Sequence, residues 1–587
     1  MPITNDVETN KITKEKDSSM NYRERRHDDW NTNYTLDRDK ILTNRLTQRQ
    51  SVNIPLMKYA LQSVLKDIDE PPMIFFENLD NDMQREIYYN EAWNDVTIKN
   101  KLVIRDRIDK KQGVLYGRSF KKLNIVDGAF KFEIVDPQDM LVERHVDPAD
   151  IDSARTLIQI NIFRTLKSIL ENEDYNAAGK ALLAEHYSKD STSQEQEDNY
   201  NSFVDKQKRM VDLGLIDAYD PLVGETYIEL NEVYMKEYDP QLGEDIIQEY
   251  VVASTDSGLI KLYKKPLFEV IGETIDEFWH NHHAYTSWAA DPERTDFWSD
   301  APADSIRQAN LVLNSWISQL VENRTLRNFN MHYYDSTNIQ FIPQTFSPVA
   351  WGWYPTPGNP NDLIKDVIVG DLSESLDEMQ FIIGIAEKAV AVSGSQTGQV
   401  EQRQVTLGEV QIAVANAQER TKSIATFCQE DWKEFGLKYS KMLEAAQDKL
   451  DNITVYKKGR SGRRLYKKEL APKQYMGRSG YRTVVRMKSD KVNEDTQLLE
   501  RLAGVISLMP ENQPLKEIQK KHAMEFAGMS SDEMKEVLDF EKSKLVTPAV
   551  IPNVEKVGTT PPAVSNVPAA TVAAPATVPT QMGGANA

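Results

Sequence analysis

The strongest constraint on this chain is an apolar stripe that runs for some forty residues without a proline. Between Val405 and Asp448, Leu407, Val410, Val414, Ala417, Thr421, Ile424, Cys428, Phe435, Tyr439 and Met442 fall mostly at three- and four-residue steps. That spacing predicts one helix with one buried face. At 1.5 Å per residue it is roughly 60 Å long, about twice the width of a small domain. The stretch before it is equally ordered. Ile306, Ala309, Leu313, Trp316, Ile317 and Leu320 predict a helix over Asp304–Arg327, with Pro302 and Asp304 marking its start. A compact excursion follows from Phe329 to Pro360, crowded with Trp351, Trp353, Tyr354 and five prolines. A second helix is expected at about Leu372–Val392. A loop of small polar residues, Ser393-Gly394-Ser395-Gln396-Thr397-Gly398-Gln399, then leads towards the long helix.

A chain of 587 residues predicts two to four domains. Its net charge of −20 fits poorly with a protein that grips DNA over a broad basic face. It does not exclude DNA sliding past, because an acidic wall repels phosphate. The single cysteine, Cys428, excludes an intramolecular disulfide and a cysteine-based zinc site, and reads as a small core residue in a reducing compartment. The first residues are polar, so no signal peptide is expected, and no run is long and apolar enough for a membrane span.

Taken in order, residues 1–42 are polar and mixed in charge, and read as a flexible arm that orders on a partner or neighbouring subunit. Helical pattern begins near Ile41 and runs to Leu65, where Pro71-Pro72 breaks it, and a second helix is expected over Asp82–Leu115. Lys121–Val126 and Ala129–Ile134 flank Asp127-Gly128, a hairpin with a type I′ turn. Residues 155–185 read as helical and Tyr187–Phe203 as a polar surface loop. Strands return at 226–234, 246–254 and 259–263, and 453–488 looks β-rich. Short helices are expected from Glu494 to Leu545. Beyond Thr547 the chain is rich in Pro, Ala, Val and Thr, a composition that cannot bury enough to fold.

Catalytic signatures are sparse. No phosphate-cradling Gly-x-x-x-x-Gly-Lys-Ser/Thr loop and no Gly-x-Ser-x-Gly elbow occurs. His280, His282 and His283 cluster beside Asp276 and Glu277, but their spacing does not match a helical zinc motif. From Lys457 to Lys488 twelve Lys and Arg face Glu469 alone, about +11 locally. Lys457, Lys458, Arg460, Arg463, Arg464 and Arg478 are its leading residues. They suit DNA phosphate, an acidic partner or a neighbouring subunit, the last two being favoured.

The order helix, aromatic excursion, helix, polar loop, long helix resembles the portal proteins of tailed bacteriophages, over about Asn44–Leu545. The resemblance is one of layout and composition, without a diagnostic motif. It implies an α+β fold: a wing domain beginning at 43–300, stem helices at 301–328 and 372–392, and a clip at 329–371. It further implies a tunnel loop at 393–404, a long wing helix with the basic segment at 405–490, crown helices at 491–546 and a disordered tail at 547–587. It implies a ring, usually dodecameric, at one capsid vertex of the virion, assembled in the host cytoplasm. Such a ring is a conduit for double-stranded DNA in packaging and ejection, with no catalysis, cofactor, metal or membrane contact. Implied partners are the large terminase, a head–tail connector or adaptor, and the major capsid protein or scaffold. Lys388, Ser393–Gln399 and Arg403 map to the DNA-facing tunnel loop, and Trp351, Trp353 and Tyr354 to clip docking. The alternative reading is a metal-dependent hydrolase or nuclease built on His280, His282 and His283.

Overall fold

From its first described residue the chain is helical. The computed structural model describes residues 7–38, 52–80, 82–188, 193–213, 225–272, 277–292, 296–328, 332–334, 364–366, 375–389, 407–458, 464–477, 480–487, 501 and 519–520. Helix α1 (Val7–Asp37) replaces most of the expected flexible arm. Its buried stripe is Ile12, Ser19, Tyr22, Arg23, Arg26, Trp30 and Asn33, so the helical period is present but written largely in polar and aromatic residues. Trp30 meets Trp298 edge-on at 5.2 Å and Tyr116 at 6.0 Å.

Next come α2 (Leu56–Ile68), β1 (Pro72–Asn78), α3 (Met83–Lys99) and α4 (Leu102–Tyr116). The single helix expected over 82–115 is thus two. Lys101 takes a left-handed φ of 52°, and the Asn100 side chain fixes the corner. Its amide donates to the Phe130 carbonyl at 2.9 Å and its oxygen accepts from Phe132 N–H at 2.8 Å. Strands β2 (Arg118–Val126) and β3 (Ala129–Val135) form the expected hairpin, with Asp127 and Gly128 at φ of 50° and 72°.

Strand β4 (Met140–Val142) and β5 (Thr156–Thr165) follow. The helix expected from 155 therefore begins as a strand. Thr-Leu-Ile-Gln-Ile-Asn-Ile-Phe is rich in β-branched residues and is paired on both sides, by β4 and by the later β6. Helices α5 (Leu166–Glu171), α6 (Ala177–Tyr187) and α7 (Ser193–Leu213) come after it. The expected polar loop is largely α7. Arg209 on α7 pairs with the buried Asp136 at 2.7 Å and Asp139 at 2.9 Å, and Lys206 with Asp139 at 2.9 Å. Polar anchors therefore hold a helix that has little apolar surface to bury.

Strands β6 (Tyr227–Asp239), β7 (Glu244–Thr255) and β8 (Gly258–Pro266) complete an antiparallel sheet of order β4-β5-β6-β7-β8. Short helices α8 (Leu267–Ile271) and α9 (Phe278–Asn281) lead to β9 (Tyr285–Ala289), which joins a second sheet of order β3-β2-β9. Helix α10 (Pro302–Asn328), strands β10 (His332–Tyr334) and β11 (Ile364–Asp366), helix α11 (Ser375–Ala389) and the 39-residue α12 (Leu407–Ala445) follow. Strands β12 (Ile453–Lys458) and β13 (Arg464–Leu470) pair as a hairpin. Helix α13 (Pro472–Tyr475) then leads to β14 (Tyr481–Met487), which pairs antiparallel with β1 and so closes the body.

The described chain is a mixed helix-and-sheet, α+β, fold. Its main core gathers around α12. Tyr439 packs against Phe130 at 4.6 Å and Trp93 at 4.7 Å, and Phe435 against Phe132 at 5.0 Å. Residues 1–497 make one unit; of the second, 498–587, residues 501, 519 and 520 are described and helical. Among the described residues no helix is long and apolar enough to cross a membrane.

Candidate functional site: two stem helices, their neck and the long helix

Helix α10 begins where the sequence predicts, and Asp304 explains why. Its Oδ2 accepts the Ala301 N–H at 2.9 Å, satisfying an amide at the helix start. The same carboxylate binds Arg307 at 2.7 Å, Asn33 at 2.9 Å and the Arg26 guanidinium. Arg26 also reaches Asp300 at 3.0 Å, and Arg307 reaches Asp29 at 2.9 Å. Helix α1 is therefore clamped to the N-terminus of α10. One turn further along, Asn310, Asn314 and Ser318 repeat every four residues and present one polar edge. They accept the backbone N–H groups of Met57 (2.8 Å), Ile54 (2.8 Å) and Val52 (3.0 Å), docking residues 52–55 and the first turn of α2, whose amides would otherwise be unpaired.

Helix α11 packs against α10. The chain leaves α10 through β10 and returns to α11 through β11. These strands pair antiparallel, His332 with Asp366 and Tyr334 with Ile364, making a two-stranded neck for the excursion between them. The α10–α11 pair is incompletely buried. Trp316, Ile317 and Leu320 stay half-buried, while Phe381 is 69% and Ile385 49% exposed. Gly384 lies between these two, with open space above it.

Helix α12 is held differently. Lys121, buried on β2, forms ion pairs with Asp109 at 2.8 Å and with Asp431 of α12, and its ammonium lies 4.7 Å from the Trp432 ring. Burial opposes its charge, but the two carboxylates outweigh it and hold the ammonium above the usual lysine range. Asp106 pairs with Lys110 at 2.6 Å and accepts from Trp432 Nε1 at 2.9 Å. Trp288 Nε1 donates to Asp109 at 3.1 Å. Burial pushes the Asp106 and Asp431 carboxyls up to about 6. Seven residues on, buried Lys438 binds Asp152 and Glu434, each at 2.8 Å, and the Tyr285 carbonyl at 2.7 Å. Sliding α12 by a turn would leave buried charges unpaired at both places, so the two pairs fix its register.

Asp106, Asp109 and Cys428 bring ligand-type atoms within 4.8 Å of one another. Lys110 and Lys121 already neutralise these carboxylates, and burial pushes the Cys428 thiol up, keeping it protonated as a donor to Asp109. The chemistry is that of an ion-pair cluster. Beside it, a groove of about 640 Å³ is lined by Trp288, Phe427, Leu437, Pro148, Tyr481 and Arg482 among others. In the five-stranded sheet, burial and the neighbouring Glu232 push Glu249 up to about 7. Lys122 pairs with Glu232, and the Tyr234 hydroxyl lies 3.3 Å from Glu249.

The three clustered histidines have three separate partners. His280 Nδ1 is 2.8 Å from Glu244, and His282 Nδ1 is 2.7 Å from the Phe278 carbonyl while its ring stacks on Phe278. His283 Nε2 is 3.1 Å from the Ala154 carbonyl, and burial holds that ring down at about 4. Among the described residues they do not gather into a metal-ligand set.

Of the sites expected from sequence, Ser393, Gly394, Ser395, Gln396, Thr397, Gly398, Gln399 and Arg403 lie outside the described residues, as do Trp351, Trp353, Tyr354, Arg460, Arg463 and Arg478. Lys388 stands in the last turn of α11. Lys457 and Lys458 end β12, and Arg464 opens β13 opposite Lys458. Sequence reading missed Arg26, the Asn310–Asn314–Ser318 edge and the Lys121–Asp109–Asp431 cluster. The four-residue repeat of 310, 314 and 318 was a usable signal; the cluster, split between positions 109, 121 and 431, had none. Comparison with known proteins found no matching family model and no matching curated sequence.

Proposed function

We propose that this chain is a structural ring subunit of the portal type, a passive conduit for double-stranded DNA at a capsid vertex. The observation that carries the reading is the stem: two packed helices, joined through a two-stranded neck, keep apolar side chains open to solvent in the single chain. Exposed apolar strips of this kind mark contacts with another protein surface. Copies arranged head to tail around an axis would cover the strip and line a channel with helices. The acidic net charge suits a wall past which phosphate slides.

In this reading 329–371 is the clip that meets terminase and then the connector, and 393–404 is the loop nearest DNA. The body carrying α12 is the wing, and Lys457–Lys488 meets a neighbour or an acidic partner. Nothing in the role requires a catalytic residue or cofactor. Negative-stain electron microscopy of the purified protein tests it. Rings with a central hole, near twelvefold, are expected. Monomers at every concentration and salt would contradict it.

A further inference from the structure

Two small surfaces on the body differ in charge, and each has an apolar centre. The first is the α3–α4 corner. Ile98, Val103 and Ile104 are 68%, 62% and 54% exposed there, around the left-handed Lys101. Lys99, Lys101, Arg105 and Arg107 surround them. Asp95 pairs with Lys99 at 2.7 Å, Asp69 with Arg107 at 3.3 Å, and Glu133 lies near Arg105, leaving Lys101 as the corner's basic excess on a chain of −20. Branched aliphatic residues on the outer side of a helix corner add nothing to this chain's own core.

The second surface is the β6–β7 turn. Asp239 and Glu244 end the ladder, and Gly243 N–H closes the turn on the Asp239 carbonyl at 2.8 Å. Tyr238 is 65% exposed and Leu242 stands out beside it. Glu237, Asp239, Glu244 and Asp245 make the turn acidic. Lys11 and Lys264 face Glu237, His280 faces Glu244, and Lys236, bonded to the Asp152 carbonyl, lies near Asp245, so the turn's acidic excess is carried by its outer carboxylates Asp239 and Asp245.

We propose that the α3–α4 corner of one copy of this chain docks on the β6–β7 turn of the next copy. The two surfaces are complementary: a net basic apolar surface and an acidic apolar surface lie at different places on one chain. Such a pair generates a head-to-tail contact, which closes into a ring or continues as a filament. Matching the charges speeds encounter and sets the register, and the aliphatic and tyrosine side chains provide the desolvated centre. The inference rests on the ring reading and names one of its contacts.

The test uses two full-length variants, Lys101→Glu with Arg107→Glu, and Glu244→Lys with Asp245→Lys. Each is checked for wild-type circular dichroism and followed by analytical ultracentrifugation and negative-stain microscopy at low salt. Each variant alone should associate at least tenfold more weakly than wild type. An equimolar mixture should recover association, because the intact acidic turn of one meets the intact basic corner of the other and the reversed surfaces also match. Wild-type-like assembly of either variant alone, or a mixture that stays dissociated, overturns the contact. If those variants still form rings, the contact falls and the ring reading stands. A wild type that never associates removes both. A monomer that binds anionic phospholipid vesicles through Lys101 and Arg107 would assign the corner to a lipid surface and overturn the proposal.

Discussion

Helix α12 and the stem pair are both amphipathic, and they bury their apolar faces to very different depths. Cys428, Trp432, Phe435, Tyr439 and Met442 on α12 are at most 2% exposed, whereas α10 buries Ile306 and Leu313 fully in its first half and then leaves Trp316, Ile317 and Leu320 half-buried, and Phe381 on α11 is open. Around residues 422–445 of α12 the chain provides an aromatic cluster, and ion pairs seven residues apart that fix the register. Around the stem it provides polar anchoring at one end and along one edge, through Arg26, Asn33 and the amides of 52–57, and leaves an apolar strip uncovered. The buried face of 425–442 is satisfied within one chain. In the proposed ring the second is completed by a neighbouring copy.

The largest effect should come from breaking the first region. Lys121→Met leaves Asp109 and Asp431 facing each other in a buried site without their cation. Removing one partner of such a pair costs about 3–5 kcal/mol. Urea unfolding should show that loss, and a variant as stable as wild type would remove the cluster from its structural role.

A smaller effect concerns pH and again belongs to the body. The folded-state value of Glu249, about 7, lies above its ordinary carboxyl value. Its contribution is therefore fully present at low pH and lost as pH rises through about 7. Wild-type stability should fall between about pH 4.5 and pH 7 and level off above that, and Glu249→Gln should reduce that slope while the Tyr234 hydroxyl keeps an acceptor. Identical slopes in the two proteins would mean that Glu249 does not titrate there.

The smallest effect on stability should come from the second region. Phe381→Ser removes a side chain that buries little in the single chain, so unfolding should change by no more than about 0.5 kcal/mol. Assembly should nevertheless be lost or strongly weakened. A large stability loss with assembly unchanged would mean that the strip belongs to the chain's own core.

Legibility in the sequence follows the same division. The stripe of α12, the start of α10 at Pro302 and Asp304, and the Asp127-Gly128 hairpin were readable because each is a local pattern with a local cause. Helix α1 was not, because Arg23, Arg26 and Asn33 occupy its buried face and find their partners at Gln138, Asp304 and Leu115, far along the chain. Strand β5 was read as helix although Ile158, Ile160 and Ile162 alternate with Gln159 and Asn161; that two-residue period was the usable signal, and it was overridden by the helical pattern of 166–187 that follows. The first half of helix α7, within 187–203, was read as a loop because Ser193–Asn199 is almost wholly polar; the anchors Lys206 and Arg209 that hold the helix lie beyond that stretch and pair with Asp136 and Asp139 far back in the chain. The stem's apolar spacing was visible in the sequence; that it stays uncovered in one chain was not, because exposure is a tertiary property.

Hydrogen–deuterium exchange on dissociated and assembled protein tests most directly whether the stem is completed by a neighbour. Amides of 312–328 and 375–389 should exchange readily in the dissociated chain and slow by at least tenfold on assembly, while those of 425–445 stay slow in both. Stem amides already as protected as those of α12 in the dissociated chain, or unchanged on assembly, would contradict it.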